Sequence, residues 1–317
     1  MHGSWIILGT VILFLIIIPT SAEEKPIIGA YFFLFDEAYN QAISVSDSIP
    51  WDQINRLYIA FATVQDGQIT NIDMDNAVGD ADVRIRTIVS LCRDKNPDAE
   101  IFISSNYGDN VTEEYLKAAE EPRQFADSAL LYMQEYDLDG YDMDFETRDI
   151  NEYVDEQIAL LQACNDKFKA PGLLTPRGKQ YGLSCTIWPG VHDPETVAAL
   201  SPYVDHLNLM TYGPGNTYDL NEYANQYAEA GIPFEKMIGG VESEFGYLEN
   251  GGHDTQESVA GKAEVVKTLG LAGLMNWRMD NDMQTQDGIS EEGPPTFQVT
   301  GWMFDELTRT TDTSAQS

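Results

Sequence analysis

The chain has 317 residues, 43% of them hydrophobic, so a full-sized core can form and disorder is not the default state. Its 52 acidic and 18 basic side chains give a formal net charge of −34 at pH 7, a balance that argues against nucleic acid or anionic membranes as partners, since both need clustered Lys and Arg. The acids are spread along the whole chain, as in a highly soluble exported protein or one adapted to high salt, where screening relieves self-repulsion.

In chain order, residues 5–18 are almost unbroken apolar sequence, followed by Pro19-Thr20-Ser21-Ala22. An apolar stretch of about 7–15 residues ending in small residues reads as a secretory signal, whereas crossing a bilayer takes about 20. Residues 1–22 are therefore expected to direct export. The weak positive charge ahead of the stretch leaves an uncleaved N-terminal membrane anchor as the alternative. Beyond it, short β-rich apolar runs fall at 27–35, 56–64, 100–105, 138–146, 181–187, 204–212, 236–242 and 271–277. Segments of helical spacing lie between them at 83–95, 113–136, 150–169, 218–230 and 256–269, with a last helix at 297–308. Strands alternating with helices predict βαβ units, and eight of them predict a (β/α)8 TIM barrel, an α/β fold of about 250 residues plus insertions. A doubly wound open sheet is the alternative, but no glycine-rich phosphate fingerprint supports it. One domain is expected over 23–311, with a polar tail at 312–317.

Cys92, Cys164 and Cys185 lie among apolar neighbours and are too few for a disulfide framework. The four histidines form no zinc motif, and no metal or organic cofactor is expected.

The most informative run is Leu138-Asp139-Gly140-Tyr141-Asp142-Met143-Asp144-Phe145-Glu146. Strand side chains alternate faces, so Tyr141, Met143 and Phe145 point one way. Asp142, Asp144 and Glu146 point the other way, at spacings of about 6–7 Å. An exposed edge strand would show the same alternation. The acids nevertheless sit at the C-terminal end of the fourth of eight runs, which is where barrel active sites lie. Three carboxyls on an inner face cannot all ionise cheaply, and divergent proton affinities are what general acid catalysis uses.

The stretch from Asp139 to Glu146 resembles the D-G-x-D-x-D-x-E signature of glycoside hydrolase family 18, the chitinases and their endo-β-N-acetylglucosaminidase relatives. Tyr58-Ile59-Ala60-Phe61-Ala62 is similar to the family's second strand, Leu209-Met210-Thr211-Tyr212 to its sixth, and Gly273-Leu274-Met275-Asn276-Trp277, with Asp282, to its eighth. Two places depart from the pattern. Ser104-Ser105-Asn106-Tyr107-Gly108 stands where S-x-G-G is usual, and Thr147-Arg148 stands where Tyr-Pro is common.

The resemblance implies a retaining hydrolase in which the substrate's own acetamido group attacks the anomeric carbon. It implies Glu146 as proton donor, Asp144 as partner of the acetamido N–H, Asp142 sharing a proton with Asp144, and Tyr212 orienting the acetamido oxygen. Trp277 would floor the sugar site, with Phe61 and Met210 beside it. Tyr31, Trp188 and Glu242 fall near strand ends, where a lining role and plain packing fit equally. The expected partner is chitin, a chito-oligosaccharide or another glycan containing N-acetylglucosamine. Splitting the chitobiose core of N-glycans is the nearest alternative, and a glycan-binding lectin on the same fold is the third. The short connection between the seventh and eighth strands predicts no large inserted lobe.

Overall fold

A computed structural model of the protein describes residues 25–72, 80–106, 110–213, 218–244, 253–285, 288–290 and 293–309. The expected export signal at 1–22 and the tail at 312–317 lie outside the described residues. No helix among the described residues is long and apolar enough to cross a membrane.

Each apolar run becomes a strand, and each helical segment packs its apolar side onto the sheet. The chain starts with β1 (Ile27–Phe33) and α1 (Glu37–Ser44), then β2 (Arg56–Gln65), which folds back into the short β3 (Gln68–Thr70). There follow α2 (Ala81–Lys95), β4 (Glu100–Ser105), α3 (Val111–Glu120), α4 (Pro122–Glu135), β5 (Gly140–Met143) and α5 (Val154–Phe168). Then come β6 (Gly182–Ile187), α6 (Pro194–Leu200), β7 (His206–Leu209), α7 (Leu220–Glu229), β8 (Met237–Glu242), α8 (Gln256–Leu269) and β9 (Gly273–Trp277). A small hairpin of β10 (Gln284–Thr285) and β11 (Gly288–Ile289) precedes α9 (Gln298–Thr308). Parallel pairing runs β1-β2-β4-β5-β6-β7-β8-β9 and closes because β1 pairs with both β2 and β9. This is the closed eight-stranded (β/α)8 barrel that the alternation predicts.

Local departures have local causes. The single helix expected over 113–136 is two, because Pro122 has no N–H to continue α3 and instead starts α4 at its first turn. The run at 138–146 is paired only as far as Met143, so Asp144 and Glu146 lie past the end of the ladder, at the barrel mouth. The short helices α1 and α6, of eight and seven residues, give too few turns for a period to show in sequence.

Inside the barrel, Tyr31 and Tyr58 stack at 4.5 Å between ring centroids, and Tyr58 meets Phe102 at 5.5 Å. Phe102 reaches across the strands only because Gly140 and Gly182 carry no side chain: a Cβ there would lie 2.4 Å and 2.3 Å from its ring. The glycine of the D-G-x-D-x-D-x-E run therefore makes room for the barrel's own filling. Gly140→Ala is expected to destabilise the fold by about 1–3 kcal/mol through overpacking. A urea titration would show this as a lower midpoint at unchanged slope; an unmoved midpoint would mean that the Phe102 ring can step aside.

Asp139, first residue of the same run, is buried where β5 begins. It accepts hydrogen bonds from the Ile101 amide (2.8 Å), Arg177 Nε (2.6 Å) and Arg93, and so anchors the start of β5 with two guanidinium groups. Cys92, Cys164 and Cys185 are buried and free, with burial pushing the Cys92 thiol up to about 12.

Candidate active site

Registry between strands builds the site from the floor upwards. Asp142 pairs in register with Ser104 on β4 and Ser184 on β6, so all three share the inner face. One Asp142 oxygen accepts hydrogen bonds from the Tyr31 hydroxyl (2.9 Å) and Ser104 Oγ (2.8 Å). The other accepts from Ser184 Oγ (2.6 Å) and Asn208 Nδ2 (3.1 Å). Burial raises its pKa above the ordinary range, while these hydroxyl donors and the charge of Arg56 pull the other way.

Asp144 is also buried, and it faces upwards. Thr186 donates to one of its oxygens, and Asn106 Nδ2 to the other at 3.3 Å. The same Asn106 amide donates to Glu146 Oε1 at 2.8 Å, so one NH2 group spans both carboxyls. Burial, then the neighbouring Glu146 and Asp142, hold Asp144 well above the usual carboxylate range. Burial also raises Glu146, against the hydrogen bonds from Asp144 and Asn106. Two neighbouring carboxyls, one buried and one half-buried, oppose each other's ionisation and titrate as a coupled pair. Asp144 thus stands between two acids that both oppose its ionisation, Asp142 with its four donors on one side and Glu146 on the other.

Of the row, Glu146 alone is half-buried, which leaves its carboxyl reachable from the mouth. Trp277 ends β9, half-buried, with Phe61 stacked behind it (5.7 Å, 28°) and Tyr31 and Phe33 against its other edges at 5.5 and 6.3 Å. Its indole N–H donates to Glu244 Oε2 at 2.8 Å, which sets the plane of the ring. Phe61 is buried, so it supports the tryptophan from behind. Met210 is buried at the end of β7, its amide bonded to the Ile187 carbonyl at 2.9 Å, and Tyr212 two residues on is half-buried.

Two other residues are placed differently from a lining role. Tyr31 is 1% exposed and belongs to the floor, where its hydroxyl also accepts from Asn208 Nδ2 at 3.0 Å. Glu242 stands in register with Trp277 but is fully buried, with Oε1 accepting the Glu244 amide at 2.6 Å. Trp188 is half-buried after β6, with the Arg148 guanidinium 5.3 Å over its ring and its indole N–H donating to the Tyr218 hydroxyl at 3.3 Å. Asp282 is buried and accepts from the Val299 amide at 2.8 Å, holding the start of α9.

Asn106, Thr186, Ser104, Ser184 and Asn208 were not singled out by the sequence. The departure from S-x-G-G at 104–108 carried the one available signal, since alternation from Phe102 puts Ser104 and Asn106 on the inner face. Chemically, the mouth offers one reachable carboxyl, Glu146, with a buried carboxyl next to it, beside an aromatic surface held by its own hydrogen bond. Among the described residues, no group of His, Cys, Asp and Glu is placed to hold a metal ion.

Comparison with known proteins adds four findings. A model of the glycosyl hydrolases family 18 matches residues 30–244. Endochitinase 1 of Metarhizium robertsii is 25% identical over 141 residues, which cover 37% of this chain and 33% of that relative's length. Chitinase ChiW from Paenibacillus sp. superposes with a TM-score of 0.69 at 20% identity, over 91% of this chain and 43% of that one. A class V chitinase from Nicotiana tobaccum, in complex with NAG4, gives 0.68 at 16% identity, over 90% and 99%.

Proposed function

This chain belongs to the glycosyl hydrolases of family 18, and from that premise we propose that it is an exported, retaining enzyme cutting β-1,4 bonds next to N-acetylglucosamine in chitin or chito-oligosaccharides. The observation that carries the reading is the Asp144–Glu146 pair, bridged by Asn106 at the barrel mouth and supported from below by Asp142. An inert barrel has no use for three inward acids, because each ion withdrawn from water costs several kcal/mol.

In the proposed reaction, the sugar ring lies on Trp277 and Glu146 gives its proton to the leaving glycosidic oxygen. The acetamido oxygen of the same sugar, oriented by Tyr212, attacks the anomeric carbon as that bond breaks. Asp144 accepts a hydrogen bond from the acetamido N–H and opposes the positive charge of the oxazolinium ring. Glu146, now a base, takes a proton from water as the water opens that ring. Two displacements at one carbon return the starting configuration. Nucleophile and proton both come from groups already named, so the scheme balances without a metal or cofactor. Export rests on the apolar segment before residue 23, with membrane anchoring through that segment as the variant of the same proposal.

A second reading, cleavage of the chitobiose core of N-glycans, is supported by Thr147-Arg148, which stand where chitinases often carry Tyr-Pro. The test is direct: the chain is incubated in parallel with N-acetylglucosamine oligomers and with a high-mannose glycoprotein, and nascent anomers are followed by NMR. The expected result is oligomer cleavage with the β-anomer appearing first. Glycan release alone would move the assignment to the second reading. Oligomer binding without cleavage of either substrate would make the chain a lectin.

A further inference from the structure

Tyr212 lies past the end of β7, whose ladder stops at Leu209, so strand pairing does not hold the backbone on either side of it. A buried ion pair does. Lys262, on α8, reaches inward with a side chain 10% exposed and pairs at 2.8 Å with Asp254, which is fully buried. Its ammonium donates to the Thr211 carbonyl (2.6 Å), the Gly240 carbonyl (2.9 Å) and Asp254 Oδ2 (2.8 Å), a full set for three N–H donors. The same Asp254 oxygen accepts the Gly213 amide (3.1 Å) and the Glu242 amide (2.7 Å). The residue before Tyr212 and the residue after it are therefore tied to the two partners of one ion pair.

The pair also holds what lies beneath the ring. Gly240 sits under Tyr212, where a Cβ would come within 2.8 Å of a Tyr212 ring carbon and 2.6 Å of the Leu209 carbonyl. Besides its bond to Lys262, Gly240 donates its amide to Thr211 Oγ1 at 2.9 Å. Buried ion pairs add little net stability, because desolvation offsets the attraction and well-packed apolar residues do as well. What this pair supplies, and an apolar pair could not, is direction for backbone groups left over at two strand ends.

We propose that Lys262 and Asp254 are positioning residues that fix Tyr212 for catalysis from outside the barrel. The inference rests on the role given to Tyr212 above and assigns that role a support on α8.

The test joins Lys262→Met with Asp254→Asn, so that no lone buried charge remains, and builds the pair into the parent and into Tyr212→Phe. A thermal melt establishes folding, and kcat and KM are measured on N-acetylglucosamine oligomers. Independently of turnover, 3-fluorotyrosine at position 212 reports ring order by fluorine NMR, with the same label at Tyr132, on α4, as control. In the parent background, kcat is expected to fall about 10–100-fold with KM changed far less, since a displacement near 1 Å costs about that much. In Tyr212→Phe the same change should cost less than about 3-fold, because a support is redundant once its target is gone. The fluorine signal at 212 should broaden or split while the control stays sharp. Equal losses in both backgrounds, or an unchanged signal at 212, would overturn the proposal. Should the doubled change prevent folding, Asp254→Asn alone carries the same two readouts. A parent that cleaves nothing would sink the catalytic reading, and the fluorine signal would still decide whether the pair holds Tyr212.

Discussion

Glu146→Gln is expected to lower kcat by about 10²–10⁴-fold and to leave oligomer binding nearly unchanged. Gln fills the same space and keeps an oxygen for the Asn106 amide, which donates to Glu146 at 2.8 Å. It has no acid proton to give the leaving oxygen. Of the three acids in the row, Asp142 and Asp144 are buried and only Glu146 is half-buried, so neither neighbour is placed to reach the leaving oxygen in its stead. The measurement is steady-state hydrolysis of N-acetylglucosamine oligomers alongside calorimetric binding by the variant. Full activity in the variant would move the active site elsewhere. Lost binding as well as lost rate would make Glu146 a binding group.

Asp144→Asn is expected to cost about 10²–10³-fold in kcat, the scale for losing one preorganised group aimed at developing charge. It should also move the pH profile. Burial raises both Asp144 and Glu146, and the neighbouring Glu146 raises Asp144 further, so together they are expected to keep a proton to higher pH than an isolated carboxyl would. The negative charge of one member makes the last proton of the pair harder to remove. With Asn at 144 that charge is gone, so the alkaline limb of kcat/KM should shift to lower pH. A limb that stays in place while the rate falls would show that the two carboxyls do not share a proton.

Much of this was legible in the residues themselves. Period-two alternation through 138–146, with Tyr141, Met143 and Phe145 between the acids, predicted an inward row, and the structure buries those three residues on the opposite face. The same alternation overstated the strand, since it continues after the hydrogen-bonded ladder ends at Met143. Trp277 could be read as a site residue from its place at a strand end. That its plane is set by Glu244, 33 residues earlier, could not. Tyr31 shows why: nothing in Ile-Gly-Ala-Tyr-Phe-Phe says whether its hydroxyl meets a ligand or the underside of Asp142.

Fold class and the acid row both follow from periodicities of 2 and 3.6 that neighbouring residues impose on one another. Which groups each acid meets is set by contacts between distant segments. Asp142 meets donors from β1, β4, β6 and β7, the farthest 111 residues away in sequence. Asp144 meets Asn106 and Thr186 instead. Barrel closure and strand register bring those groups together, and both are fixed by pairing between distant segments, on which no local period carries information.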